Sequence, residues 1–257
     1  MTEKNIGVIV QARMGSSRLP GKILMDLDEN ERVLDVLIKR LKLSKRVNKI
    51  IIATTPDKRN SVIIEATKLH DVSYFIGSEK NVLERYYLAA KKYNLDLIIR
   101  ATSDCPFIDP FILDDMINFF LSHDYHCIRN VDNTTNFSRG FEVEIFSFEV
   151  LEKIYKNAST ELEKEHVTHS IYIHPELFQF YSYNLENLKN FRNLRLTIDV
   201  DEDLELCREV YKFLKESGKG INFSVFDVYE IIEENPELME INKNVIHKSI
   251  HESNIKR

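Results

Sequence analysis

Apolar runs too short to be helices recur along the first half of the chain, with helix-period segments between them. Residues 6–10 (Ile-Gly-Val-Ile-Val), 49–54 (Lys-Ile-Ile-Ile-Ala-Thr) and 95–101 (Leu-Asp-Leu-Ile-Ile-Arg-Ala) are the clearest. Runs of this kind read as strands buried on both faces, and residues 72–76 give a shorter one. Residues 33–43 carry apolar side chains at Val33, Leu34, Val36, Leu37, Leu41 and Leu43, a helical stripe. Residues 60–69 and 81–93 also read as helices, the second with Asn81 as its cap. Residues 110–121 start a helix with Pro110 in its first turn. Repeated strand–helix units predict an α/β fold, a mostly parallel sheet with right-handed crossovers and helices on its faces.

After Ile128 the rhythm changes. Residues 132–138 form a polar loop, and 141–146 alternate apolar and acidic side chains like a strand with one wet face. A helix is expected over 161–173, a Tyr/Phe-rich strand over 178–183, a short sheet strand over 194–200 and a helix over 202–215. These assignments make residues 1–241 one domain, with an α+β insertion at about 132–193 that serves an acceptor site or a dimer contact. Residues 242–257 are a polar tail, ordered only where it docks.

Composition narrows the possible partners. A net charge of −6 argues against a general binder of nucleic acid or membrane surfaces, so any polyanion site must be a local basic pocket. The three cysteines, Cys105, Cys127 and Cys207, are far apart and lack the spacing of a disulfide framework or zinc site. No apolar run approaches the roughly 18 residues of a membrane span. A cytoplasmic location is the expectation.

The segment Gln11-Ala12-Arg13-Met14-Gly15-Ser16-Ser17-Arg18-Leu19-Pro20-Gly21-Lys22 follows directly on the first strand. The carboxyl end of a strand is where open α/β sheets bind phosphates. Backbone N–H groups beside the glycines can turn toward an anion, and Arg13, Arg18 and Lys22 supply the opposite charge. The spacing is not that of a Walker A loop, which has four residues between its glycines and a Ser or Thr after the lysine. Here five residues separate Gly15 from Gly21, and Ile23 follows Lys22. There is no G-x-G-x-x-G either, and Pro20 keeps Leu19 out of helical conformation.

Two acidic positions complete a phosphate-handling set. Asp104, in Thr102-Ser103-Asp104-Cys105-Pro106, follows a buried strand on the expected edge of the phosphate loop. A carboxylate there can hold Mg²⁺ against a triphosphate or close a turn on its own backbone. Asp199 lies on the strand side of Asp199-Val200-Asp201-Glu202-Asp203-Leu204. Glu202 and Asp203 fit a first helical turn, where acids complement the helix dipole. Asp104 and Asp199 together would give one metal ion two carboxylates. No Ser/His/Asp or Cys/His nucleophile set is evident, which agrees with direct displacement.

The phosphate loop and the segment after it resemble the signature of the cytidylyltransferases that activate acidic sugars. The resemblance is nearest to the spore coat polysaccharide biosynthesis protein F branch, with the Kdo (3-deoxy-manno-octulosonate) and acylneuraminate cytidylyltransferases as relatives. It extends to residues 77–87 (Gly-Ser-Glu-Lys-Asn-Val-Leu-Glu-Arg-Tyr-Tyr), 102–106, 139–146 (Arg-Gly-Phe-Glu-Val-Glu-Ile-Phe), 163–168 and 199–204, and spans about residues 6–215. Two departures stand out. Ser103-Asp104-Cys105-Pro106 replaces the Gly-Asp-Glu-Pro-like stretch of the Kdo enzymes, and the Gly-Gly-Ser-Lys form of the first loop found in sialic-acid enzymes is absent.

The resemblance implies a Rossmann-like sheet of the nucleotide-diphospho-sugar transferase type. It also implies transfer of CMP from CTP to a small acidic sugar with release of pyrophosphate. By position, Arg13 and Lys22 would hold the triphosphate with Gln11, Ala12, Gly15, Ser16, Ser17 and Arg18 around it. Ser78 and Arg85 would stand near the cytosine, and Asp104 and Asp199 would hold Mg²⁺. Arg139, Glu142, Glu144 and His166 would meet the acceptor, and the chain would be a homodimer. Arg139 next to Gly140 can bind a sugar carboxylate or simply pair with a surface acid, and His166 can equally be a packed or capping histidine.

Three other readings compete. They are a transferase making a CDP-linked product from a phosphorylated acceptor, a glycosyltransferase using Asp199-Val200-Asp201 as a D-x-D motif, and a nucleotide-binding subunit without catalysis. A glycosyltransferase has no need of three cations clustered for a free triphosphate. Retention of Arg13, Lys22, Asp104 and Asp199 weighs against a non-catalytic subunit.

Overall fold

The computed structural model describes residues 4–191 and 193–246. Its first strand, β1 (Ile6–Gln11), leads through the phosphate loop and a 3₁₀ turn at Lys22–Leu24 into a small antiparallel ribbon, β2 (Asp26–Asp28) and β3 (Glu31–Arg32), ahead of α1 (Val33–Leu41). Then follow β4 (Lys49–Thr54), α2 (Ser61–Leu69), β5 (Ser73–Ile76), α3 (Val82–Lys92), β6 (Leu97–Thr102) and α4 (Pro110–Ser122). The second half contributes β7 (Cys127–Arg129), β8 (Glu144–Ser147), α5 (Phe148–Asn157), α6 (Glu161–Glu165), α7 (His169–Ile173), β9 (Phe180–Ser182), α8 (Asp201–Glu216) and α9 (Val225–Glu234).

The main sheet has seven strands in the order β5-β4-β1-β6-β8-β7-β9. β1 pairs in parallel with β4 (Val8 opposite Ile50) and with β6 (Val8 opposite Ile99), and β4 pairs in parallel with β5. β8 runs antiparallel to both β6 and β7, and β9 is parallel to β7. The expected mostly parallel α/β sheet is therefore present, and residues 132–193 add β8 and β9 to that same sheet.

Alternation along each strand feeds two helix layers. Val8, Val10, Ile52, Ile99 and Ala101 pack with α1, α4, α8 and α9, while Ile9, Ile51, Ala53 and Ile98 pack with α3, α5 and α7. Val8, Ile9 and Val10 are fully buried, which accounts for the unbroken apolar character of the run. Asn81 caps α3 by accepting from the Glu84 N–H at 2.9 Å, and Pro110 opens α4. Among the described residues, no helix is long and apolar enough to cross a membrane.

The structure departs from the sequence-based elements at four places. Residues 194–200 are not a strand. They cross the end of the sheet with a single bridge from Arg195 to Arg139, and the Leu196 and Ile198 N–H groups donate to the carbonyls of Arg139 and Asp104. Residues 194–198 are all buried, and the apolar alternation of Leu194, Leu196 and Ile198 imitates a strand because these three side chains plug that end of the core. Second, the strand expected from 141 starts only at Glu144. Before it, the Asn130 side chain donates to the Phe141 carbonyl and accepts from the Val143 N–H, standing in for a neighbouring strand.

Third, the helix expected over 161–173 is broken at 166–168, where His166 leaves helical dihedrals and starts a turn closed by the His169 N–H. Fourth, α8 begins one residue earlier than expected, at Asp201; Asp203 lies in its first turn as expected and is completely buried. α5, α9, β7 and the β2–β3 ribbon went unanticipated. Of the tail, residues 242–246 are described and Asn242 is buried; residues 247–257 lie outside the described residues.

Candidate active site

Parallel pairing brings the carboxyl ends of β1 and β6 side by side. The Ser103 N–H continues the ladder to the Gln11 carbonyl, and the Ala12 N–H donates to Ala53. The phosphate loop then folds back on itself. The Met14 carbonyl accepts from both Ser16 and Gly21, and Asn60 Oδ1 accepts from the Met14 N–H at 2.9 Å. Gly21 closes the loop with φ of 75°, the left-handed region in which a Cβ is disfavoured. Lys22 starts the 3₁₀ turn directly after it and is thereby aimed inward.

The Lys22 ammonium joins three segments of the chain. It donates to Asp104 Oδ2 at 2.7 Å, Asp199 Oδ1 at 2.9 Å and the Ile198 carbonyl at 2.5 Å. Burial opposes its charge, but Asp104 and Asp199 outweigh burial and hold it above the ordinary lysine range. Arg18 reaches Asp199 Oδ1 at 2.8 Å, and Arg195 pairs with Asp199 Oδ2. Burial would raise the Asp199 carboxyl, yet Lys22, Arg18 and Arg195 hold it below the usual carboxylate range. Beneath it, Asp203 accepts from Arg195 Nε at 3.0 Å, the Asp199 N–H at 2.9 Å and Asn242 Nδ2 at 2.9 Å.

These groups edge a cavity of about 740 Å³, large enough for a nucleotide with a small acceptor. Of the residues singled out in the sequence, Gln11, Ala12, Arg13, Ser16, Ser17, Arg18, Lys22, Arg85, Asp104, Asp199 and His166 line it. Arg13 faces Glu79 at 3.8 Å across its mouth. Gly15 and Ser78 do not line the cavity. Ser78 instead accepts from Asn81 N–H through its hydroxyl and from Arg85 Nη1 through its carbonyl, fixing the wall residue Arg85.

Arg139, Glu142 and Glu144 are not brought to the cavity. Arg139 bridges to Arg195. Gly140 has φ of 110°, and a Cβ there would lie 2.6 Å from the Leu196 backbone, so the chain turns away at that point. Glu142 accepts from the Gly140 N–H and from Cys105 Sγ, and burial pushes its carboxyl up. Glu144 lies opposite Arg100 in the β6–β8 register and pairs with it at 2.6 Å. It shares the sheet face of Arg100, and its oxygens are taken up by Arg100, Thr168 and Tyr172.

Residues absent from the sequence-based set complete the lining: Ile23, Glu79, Lys80, Val82, Arg100, Thr102, Ser103, Glu161 and Glu165. Arg100 carried a usable signal, since a charged residue within a buried apolar run must find a partner or face a cavity. Glu161 and Glu165 carried none, because they read as the wet face of a surface helix. Among the described residues no cluster of three metal-ligating side chains occurs. The convergence of Asp104 and Asp199 on one ammonium is a two-carboxylate set of the kind that suffices for Mg²⁺ when phosphate oxygens complete the shell.

The family model for cytidylyltransferases matches residues 7–235. The chain belongs to the cytidylyltransferase family. It is 36% identical over 239 residues to the spore coat polysaccharide biosynthesis protein SpsF of Bacillus subtilis, covering 89% of this chain and 94% of that protein. A solved cytidylyltransferase structure from Leptospira borgpetersenii superposes with a TM-score of 0.86 at 34% identity, over 96% of this chain and all of the other. The fold alone is shared with a CMP:2-keto-3-deoxy-manno-octonic acid synthetase solved with CTP. There the TM-score is 0.60 and the identity 15%, over 82% of this chain and 99% of the other. The central sheet is thus common to this chain and that synthetase.

Proposed function

We propose that this cytidylyltransferase transfers CMP from CTP to an acidic sugar of the nonulosonate or Kdo type, releasing pyrophosphate, in the cytoplasmic synthesis of a cell-surface polysaccharide. The observation that carries the reading is the meeting of Arg18 and Lys22 with Asp104 and Asp199 at the edge of one cavity. SpsF, named for spore coat polysaccharide biosynthesis, and the octonic acid synthetase support the substrate class.

In this reading an acceptor oxygen attacks the α-phosphorus in line while pyrophosphate leaves. Arg13, Arg18 and Lys22 orient the triphosphate and neutralise the charge that builds on its oxygens; such positioning and clamping dominate phosphoryl and nucleotidyl transfer. Asp104 and Asp199 are the residues that would hold Mg²⁺, which supplies further charge neutralisation on the phosphates. The buried Arg195–Asp203 pair holds Asp199 at that edge.

The test is pyrophosphate release with Mg²⁺, each of the four nucleoside triphosphates, and a panel of Kdo, sialic-type nonulosonates and phosphorylated polyols. The expected outcome is release with CTP and one acidic sugar only, abolished by Asp104→Ala. Turnover of a phosphorylated polyol instead of a sugar acid would replace this reading with that of a CDP-product-forming enzyme.

A further inference from the structure

Arg100 is the feature of the cavity that the phosphate chemistry leaves unused. It stands in β6 between residues that are almost wholly buried, Ile99 at 0% and Ala101 at 1% exposure, yet its side chain reaches the cavity wall. The alternation of β6 turns it to the same face as Ile98, toward the layer of α3, α5 and α7. At that end the wall is made by Glu161, Glu165 and His166. Arg100 and Glu165 both act electrostatically on the His166 ring, so all three belong to one neighbourhood.

The guanidinium is held from behind. Its Nη1 donates to Glu144 Oε2 at 2.6 Å. Glu144 in turn accepts from Thr168 Oγ1 at 2.9 Å and 3.0 Å and from the Tyr172 hydroxyl. That carboxylate is thus shared among three donors from β6 and the 168–172 turn. An arginine offers five N–H donors in a rigid fork. Glu144 takes one of them, and Arg100 Nε is buried without a hydrogen-bond partner. Nε is enclosed, so the remaining Nη donors are the ones left to meet a ligand in the cavity.

We propose that Arg100 receives the acidic group of the acceptor, with Glu144 as its positioning residue; this rests on the acidic-sugar reading above. A guanidinium binds a carboxylate through paired N–H donors. Two carboxylates, Glu161 and Glu165, and an imidazole that burial keeps below the ordinary histidine range suit the hydroxyls of the same molecule. One anion and several hydroxyls describe a sugar acid. The arrangement moves acid recognition away from Arg139, which bridges to Arg195 outside the cavity.

The experiment takes the sugar acid that the wild-type chain turns over and compares it with its carboxamide, in wild type, Arg100→Gln, Arg100→Lys and Glu144→Gln. Wild type is expected to prefer the acid by about 100-fold in kcat/KM, within the range for a charge-assisted bond. Arg100→Gln then lowers kcat/KM for the acid by about 10- to 100-fold, leaves the carboxamide little changed, and keeps the KM for CTP. Arg100→Lys retains a cation beside Glu144 and so guards against simple misfolding; it recovers part of the preference. Glu144→Gln raises the KM for the acid without removing the preference. Equal losses with acid and carboxamide in folded Arg100→Gln, or a raised KM for CTP, overturn the assignment of Arg100 while the acidic-sugar reading stands. Failure of the wild type to use any acidic sugar overturns both.

Discussion

At Lys22, an ammonium with three N–H donors meets three acceptors, Asp104, Asp199 and the Ile198 carbonyl. Removing it brings two carboxylates close together with less compensation. Asp199 keeps Arg18 and Arg195, and Asp104 is a quarter exposed. The loss from Lys22→Met is therefore expected at about 2 kcal/mol, below the roughly 3–5 kcal/mol of a fully buried broken pair. Urea unfolding measures it. Its pH dependence has a definite sign. Asp199 is held below the usual range, so its contribution is complete above the ordinary carboxylate pKa and is lost as pH falls through the lowered one. Lys22 is held above the usual lysine range, so its contribution is lost only as pH rises through that raised value. Lys22→Met should flatten both limbs. It should also let Mg²⁺ alone raise Tm more than in wild type, because the two carboxylates no longer share an ammonium. An unchanged response to Mg²⁺ would show that the carboxylates do not act as a pair. The cations and Asp104 were legible as residues because each follows a strand, and Asp199 because its segment has the apolar alternation of one. The juxtaposition of Asp104 and Asp199 was expected, but the Lys22 ammonium between them was not, because that pairing joins three segments that no periodicity connects.

Among the elements, the break between α6 and α7 is built by one side chain. Glu163 Oε2 accepts from the Ser159 and Thr160 N–H groups at 3.0 and 2.9 Å, while Oε1 accepts from the Ser170 hydroxyl at 2.9 Å. Burial acts against the carboxylate, but these donors bring its pKa down to about 2. A helix prediction over 161–173 fails here because apolar spacing cannot register an acid that ties the start of one helix to the next. His166 occupies the break and lines the cavity, so the break shapes one wall of it. Glu163→Gln is expected to cost about 1–2 kcal/mol, to speed amide exchange across residues 159–173, and to raise acceptor KM more than CTP KM. In wild type the Glu163 contribution is complete above about pH 4.5 and fades as pH drops toward 2. Faster exchange with an unchanged acceptor KM would separate this turn from the site. The residue 194–200 segment fails as a strand for a related reason. Apolar alternation reports which side chains meet the core, and the backbone partners here are loop carbonyls instead of a neighbouring strand.

At the scale of the whole molecule, the expected parallel sheet and its edge of function were readable from the apolar runs. The way the end of the domain returns to that edge was not. Asn242 is buried, and its side-chain amide donates to the Arg195 carbonyl at 2.8 Å and to Asp203 Oδ1 at 2.9 Å. Asp203 in turn fixes both Arg195 and the Asp199 N–H. The last described turn of the chain thus braces the carboxylate that faces Lys22, through groups with almost no water to replace them. A polar residue at the start of a charged tail gives no hint of this, because its partners belong to a segment that no periodicity connects to it. Asn242→Ala leaves Asp203 one donor short in a buried place, which costs about 1–3 kcal/mol. If the brace positions Asp199 for catalysis, the variant also lowers kcat by about tenfold, with the KM for acceptor unchanged and a higher Mg²⁺ concentration at half-maximal rate. Asn242→Asp places a second carboxylate against Asp203 and is expected to be worse than alanine in both measures. A loss of Tm in Asn242→Ala with wild-type kcat and Mg²⁺ dependence would confine the C-terminal turn to holding the fold together.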